Sequence, residues 1–210
     1  MSHSIKVDLL NVREKNMIAT DLKNLLGDPQ IRKKIVMRKV TGRSLDVTTG
    51  IYTDTWTSTT SYAMKGIYMS TEMPTGKGMG IMQFGDFYYL IPMKDVTALN
   101  LDKDDRILEL RDNSGTVTVT NGSATVTGDG TTWTTSIGKG DWFKLETEEN
   151  SSLIEVLSVN SDTSLTLSST YGGVTKSNFP FEVYLEYMVV GHDADTFNGI
   201  MERYWCREIQ

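Results

Sequence analysis

Three patterns of apolar and polar positions follow one another along this chain. Between residues 11 and 27, NVREKNMIATDLKNLLG, the apolar positions Ile18, Leu22, Leu25 and Leu26 fall near helical spacing, and Gly27 ahead of Asp28-Pro29 is a stop signal. The spacing predicts a helix over 11–27 and no other long helix. Residues 31–40, IRKKIVMRKV, alternate imperfectly and predict a strand, with Ile31, Ile35 and Met37 inward and Lys34, Arg38 and Lys39 largely outward. TGRSLDVTTG reads as a turn or loop, and IYTDTWTSTTSY as a long mobile hairpin or an extended loop. AMKGIYMS, FGDFYYLIPMKDV and KDDRILEL carry further short strands around turns.

The pattern shifts at about Ser114. From there to Asn178 the chain is rich in Thr, Ser and Gly and holds short alternating runs: TVTVT, SATVT, DWFKL, LIEVLSV and SLTL. The stretch from Gly122 to Leu145 offers no plausible helix. Aromatic and charged character returns in FEVYLEYMVVGHDADTFNGIMERYWCREI. The reading is a mainly β protein: a small β-barrel or sandwich with one N-terminal helix, formed by residues 1–112 and 179–210, plus an inserted all-β module at 113–178. KDDRILEL and FEVYLEYMVV lack hairpin partners next to them in sequence and become neighbours if the block between them is lifted out, since insertions fold best between ends already close. The stretches near 107 and near 185 are thus expected to be hydrogen-bonded companions in one barrel, with the block between them folding by itself. Its core is expected to be Val117, Val119, Val126, Trp133, Trp142, Ile154, Val156, Leu165 and Leu167.

Charge changes the picture of partners. The net charge of −6 argues against a general nucleic-acid binder held by counterion release. It leaves room for a surface past which DNA slides. One cysteine, Cys206, excludes an internal disulfide framework and fits a reducing cytoplasm. No apolar run approaches a membrane span, and no membrane partner is expected.

Candidate chemistry is thin. Of the two histidines, His3 lies near the N-terminus and His192 sits in VVGHDAD, read as an exposed acidic turn between strands. His192, Asp193, Asp195 and Cys206 are the one conceivable metal set, and their spacing matches no zinc pattern. Cys206, set among aromatics, reads as a small core residue. GKGMG at 76–80 lacks the G-K-[ST] of a phosphate loop. The carboxylate pairs Asp104-Asp105 and Glu148-Glu149 lie in turns, and GDG at 128–130 is a hairpin signal. The run Arg32, Lys33, Lys34, Arg38, Lys39 reads as a solvated strand face, with contact to DNA or an acidic partner ring as the alternative. No catalytic residue, cofactor or metal is expected.

Two parts of the chain resemble phage families. LKNLLG, then IVMRKVTGRSLDVTTGIYTDTWTSTTSYAMKGIYMS, FGDFYYLIPMKDV, KDDRILEL and the C-terminal FEVYLEYMVVGHDADTFNGIMERYWCREI resemble the head-closure, or stopper, proteins of tailed-phage necks. VTGDGTTWTT, GDWF, IEVLSVNSDTSLTL and TYGG resemble a small β module recurrent in phage virion proteins. The resemblance implies a structural protein of the head-to-tail neck, assembled in the host cytoplasm as a hexameric or dodecameric ring. Its partners would be itself, the portal or adaptor protein, a tail terminator or tail tube protein, and genomic DNA passing without sequence readout. The channel loop would match Arg43, Ser44, Asp46, Thr48, Thr49, Tyr52, Thr53, Asp54 and Trp56. Contact with a neighbouring ring would fall to Arg203, Tyr204, Arg207 and Glu208. The alternative is an exterior tail-fibre or baseplate component that stacks host carbohydrate on Trp56, Trp133 or Trp142.

Overall fold

The computed structural model describes residues 31–67, 87–92, 99–146, 152–196 and 201–209, together with Asn24 and Asp28. Of the helix expected over 11–27, Asn24 alone is among them, so that helix lies outside the described residues, as does the 76–80 loop. The chain divides into two compact units: residues 1–107 with 188–210, and residues 108–187.

In the first unit, β1 (Arg32–Leu45) and β2 (Tyr52–Ile67) form an antiparallel hairpin paired from Arg32↔Met64 to Leu45↔Tyr52. β2 then pairs β3 (Phe87–Pro92), and β3 pairs the C-terminal strand, Met201–Glu208. Its core gathers Ile35, Met37, Tyr89, Ile91, Leu101 and Tyr204, all buried. β4 (Arg106–Asp112) is entered through a turn whose backbone is bonded to a later strand: the Asp104 amide donates to the Val189 carbonyl at 2.8 Å, and the Val189 amide to the Asp105 carbonyl at 2.9 Å.

The second unit holds β5 (Thr116–Val119), β6 (Thr125–Asp129), β7 (Trp142–Leu145), β8 (Ile154–Ser161), β9 (Ser164–Leu167) and β10 (Lys176–Phe179). Asn121-Gly122, with Gly122 at φ +76°, turns β5 into β6. Period-two alternation decides its core: Val117, Val119, Val126, Phe143, Leu145, Val156, Leu165 and Leu167 all point inward around Trp133. Trp142, expected in that core, is half-buried, because Phe143 and Leu145 take the inward phase of β7. Ile154 packs at the margin. Gly122–Leu145 does contain a helix, the single turn α1 (Trp133–Ser136), which lowers the Trp133 ring into the core. Gly130 (φ +69°) serves the β6–α1 turn, so the 128–130 signal marks that corner and not a hairpin.

β11 (Phe181–Thr196) and β12 (Met201–Glu208) complete the order β10-β5-β6-β9-β8-β7-β11-β12-β3-β2-β1-β4, in which β4 also pairs β11. The strands are antiparallel, and among the described residues they make no barrel, which corrects the expected barrel. Sixteen residues of β11 are long enough to take different partners along one strand, and Phe181–Tyr184 are bonded to Leu145–Trp142 of β7. β4 pairs β11, with Asp104 and Asp105 bonded to Val189, and the second compact unit takes in residues 108–112 and 179–187 beyond the expected block. Phe181 explains why. It stacks on Phe143 (6.0 Å) and meets Trp133 edge-on (5.8 Å), so the block's core is finished by residues assigned from sequence to the flanking domain.

Two further expectations change. His192 lies within β11 and not in a turn. Arg38 is buried and not part of a solvated face, while Ile31 is exposed.

One buried ion pair is sharply testable. Glu182 is fully buried, takes Lys144 Nζ at 3.2 Å and accepts from the Tyr184 hydroxyl at 2.7 Å. Lys144→Met leaves that carboxylate without its cation and is expected to lower unfolding free energy in urea by about 3 kcal/mol. Lys144→Met with Glu182→Leu should recover most of the loss, because the cost comes from the stranded charge.

Candidate functional site

The sequence-predicted channel residues converge on one structure, the outer half of the β1–β2 hairpin. At its root, Ile35, Val36, Met37 and Arg38 are buried in succession, opposite buried Ser61 and Ala63. Beyond Val40 the burial ends: Arg43, Ser44 and Leu45, the turn 46–51, and Tyr52 and Thr53 are exposed. TGRSLDVTTG is therefore strand up to Leu45, with a turn only from Asp46 to Ile51, and IYTDTWTSTTSY is strand from Tyr52 onward. The reason is pairing, since every residue from Tyr52 to Met64 has a register partner in β1. Extended at about 3.3 Å per residue, the paired segment past Val40 reaches roughly 15–20 Å.

A β-bulge sorts the two faces. The register slips between Val40↔Trp56 and Gly42↔Thr55, leaving Thr41 as the extra residue. In unbroken alternation Arg38 and Arg43, five apart, would face opposite ways. The slip puts them on one face with the aromatics of β2. Arg32 lies over Tyr62 (4.6 Å), Arg38 over Trp56 (4.7 Å) and Arg43 over Tyr52 (5.9 Å), and Arg106 also reaches Trp56 (5.7 Å). Such pairs contribute about 0.5–2 kcal/mol each, according to burial. The opposite face carries Ser44 with Thr53, Thr55, Thr57 and Thr59, and its one cation along that stretch, Lys39 opposite Thr57, is drawn to Asp102.

Asp105 holds the bulge in place. It is buried, its Oδ1 accepts from the Val40 amide (2.9 Å) and its Oδ2 from the Asp102 amide (2.7 Å). The carboxylate thus satisfies a β1 donor at the slip. Nothing in KDDRILEL distinguishes Asp105 from Asp104; only the tertiary approach of the turn to β1 does. Lys39 bonds the same turn through Asp102 (3.0 Å) and the Asn100 carbonyl.

At the tip, Asp46 organises the turn. Its Oδ1 accepts from the Thr48 amide (2.8 Å), its Oδ2 from the Thr49 hydroxyl (2.8 Å), and Gly50 (φ +70°) closes the chain with its amide on the Asp46 carbonyl (2.7 Å). The Thr48 amide, followed by the Thr49 hydroxyl, holds the Asp46 carboxyl below its ordinary 3.8. Arg43 meets Asp54 with two hydrogen bonds, Nε to Oδ1 at 2.6 Å and Nη2 to Oδ2 at 3.1 Å, and that contact lowers the Asp54 pKa and raises that of Arg43. Apolar side chains crown the tip: Val47 is 89% exposed, Ile51 63% and Tyr52 62%.

The C-terminal candidates divide. Tyr204 is buried, with its hydroxyl pKa pushed far up by burial and then by Glu202, so it is interior and not a contact residue in this chain. Arg203 lies over Tyr88 (4.9 Å) and Trp205 (5.5 Å). Arg207 is half-buried and Glu208 exposed. His192 donates to or accepts from Glu202 across 2.7 Å and stacks on Tyr204 at 5.7 Å, and Cys206 is buried. Among the described residues, no group of three or more His, Cys, Asp or Glu could hold a metal. The described side chains do not include Asp193 and Asp195. No protein-family model matches this chain, and no curated protein matches it in sequence.

Two outcomes check this geometry. Asp105→Ala strands the Val40 and Asp102 amides and should destabilise the first unit by about 1–3 kcal/mol, read as a lower midpoint in thermal or urea unfolding. The Thr48 amide proton shift should titrate with a midpoint below 3.8, and Asp46→Asn should abolish that titration. Because the folded value is depressed, the stabilisation is present above 3.8 and fades as pH falls through the folded midpoint, so the tip loosens in acid.

Proposed function

We propose that this chain is a structural component of the tailed-phage neck, a head-completion protein that joins a ring below the portal or adaptor and receives the tail. The observation that carries the reading is the β1–β2 arm: a paired, two-faced projection that leaves its own core and presents, beyond Lys39, a face of small hydroxyls from Ser44, Thr53 and Thr55. Small hydroxyl side chains hydrogen-bond to water and offer no cation to phosphates, which suits a surface past which DNA moves. The paired strands make this a stiff projection, so the face can be held at a fixed radius. The resemblance of the 35–70 segment to head-closure proteins and the bonded turn at Asp104, Asp105 and Val189 support the same reading.

The carbohydrate reading has less to stand on. None of the four tryptophans is exposed: Trp133 and Trp205 are buried, and Trp56 and Trp142 are half-buried, Trp56 beneath two arginines. A sugar platform needs an open ring face.

Purified chain added to DNA-filled, portal-bearing, tailless heads should bind them, reduce DNA release and permit tail addition. Heads that leak unchanged, combined with binding of the chain to host cells, would overturn the neck assignment in favour of a receptor binder.

A further inference from the structure

Two properties meet on the arm. Residues 31–67 contain seven Lys or Arg against Asp46 and Asp54, a net +5 within a chain of net −6. Residues 108–187 contain eleven Asp or Glu against four Lys or Arg, a net −7. Exposed apolar surface is also concentrated on the arm. Of the nine large apolar residues exposed among the described residues, five are Leu45, Val47, Ile51, Tyr52 and Tyr62.

We infer that the β1–β2 arm is a self-association element that docks, through its apolar tip and its arginine–aromatic face, on the acidic 108–187 unit of a second copy of this chain. The inference rests on the neck reading in one respect, that copies of the chain associate, and it adds which surfaces meet.

Three observations select a second copy. Charge complementarity is available within the sequence itself, since Arg32, Lys33, Lys34, Arg38 and Lys39 at the root of the arm stand against a net −7 on the other unit, while residues 41–56 hold Arg43 against Asp46 and Asp54. The exposed tip is apolar, and burying Val47, Ile51 and Tyr52 gains from desolvation, which a nucleic-acid backbone would not provide. Arg43 is held by Asp54 in a bidentate pair and stacked toward Tyr52, an arrangement that presents a flat, rigid surface with few rotamers left to freeze. The two faces then have separate uses: the arginine–aromatic face against a neighbour, and the hydroxyl face toward the passing DNA.

The test is sedimentation of the full chain over a range of protein and salt concentrations. Three proteins are compared: wild type, Val47→Asp/Ile51→Asp, and Arg32→Glu/Lys34→Glu, whose two positions lie on the arginine–aromatic face. Wild type should self-associate, more weakly as salt rises. The tip variant should weaken association by about tenfold or more, and the charge variant should weaken it and flatten its salt dependence. The tip residues are exposed, so the tip variant should unfold at the wild-type midpoint, which separates lost docking from lost folding. A wild type that stays monomeric throughout, or variants that associate as wild type does, overturns the inference. So does a labelled DNA duplex that binds the arm with charge dependence and is indifferent to the tip variant. Binding to tailless heads reports separately: arm-dependent association without head binding removes the neck reading alone, and head binding with unchanged association in the variants removes this inference alone.

Discussion

A strand that is buried at most of its described positions sets the terms for the rest of this protein. β11 runs from Phe181 to Thr196, and residues 181–184, 187 and 189–191 are buried. Its first four residues are committed to β7, and Val189 exchanges backbone bonds with Asp104 and Asp105. A backbone buried this way must spend every amide and carbonyl on a partner, because an orphaned one costs about 1–3 kcal/mol. The partners come from stretches far apart in the chain. The same strand also delivers Phe181 and Val183 to the core around Trp133, so the second unit is finished by the return of the chain.

Given that frame, the arm is the segment released from it. Its root shares the buried surface through Ile35, Val36, Met37 and Ala63. Its outer half has no core to lean on and is held by pairing, by the arginine–aromatic contacts and by the Asp46 turn. The bulge at Thr41 makes those contacts possible, and the Asp105 carboxylate steadies it from a neighbouring turn. Local backbone irregularity, a buried charge and surface chemistry are thus one linked arrangement. It produces a projection with a hydroxyl face and a cationic aromatic face, the property on which both functional proposals rest.

Much of the secondary structure was legible because alternation is a local signal. TVTVT, SATVT, DWFKL, LIEVLSV and SLTL are strands for the reason they read as strands, apolar residues on every second position. The misreadings have separate causes. TGRSLDVTTG and VVGHDAD carry turn-prone Gly and Asp, yet half of the first and all of the second are strand, because a long partner was available to each. Trp142 was placed in the core for its size, although Phe143 occupies the inward phase. α1 was invisible because a single turn has almost no propensity signature.

The residues alone determined a β-rich chain, its acidic balance with a basic stretch at 31–67, and a Thr-rich segment made mostly of short strands; these follow from side-chain chemistry and short-range periodicity. Tertiary structure decided which strands pair, that β11 serves both units, that Arg38 and Glu182 are buried with partners, and that Arg38 and Arg43 share a face. Those outcomes depend on register and on contacts between residues tens of positions apart. A one-residue slip at Thr41 reverses the face of every position beyond it, and no local pattern in the chain records where that slip falls.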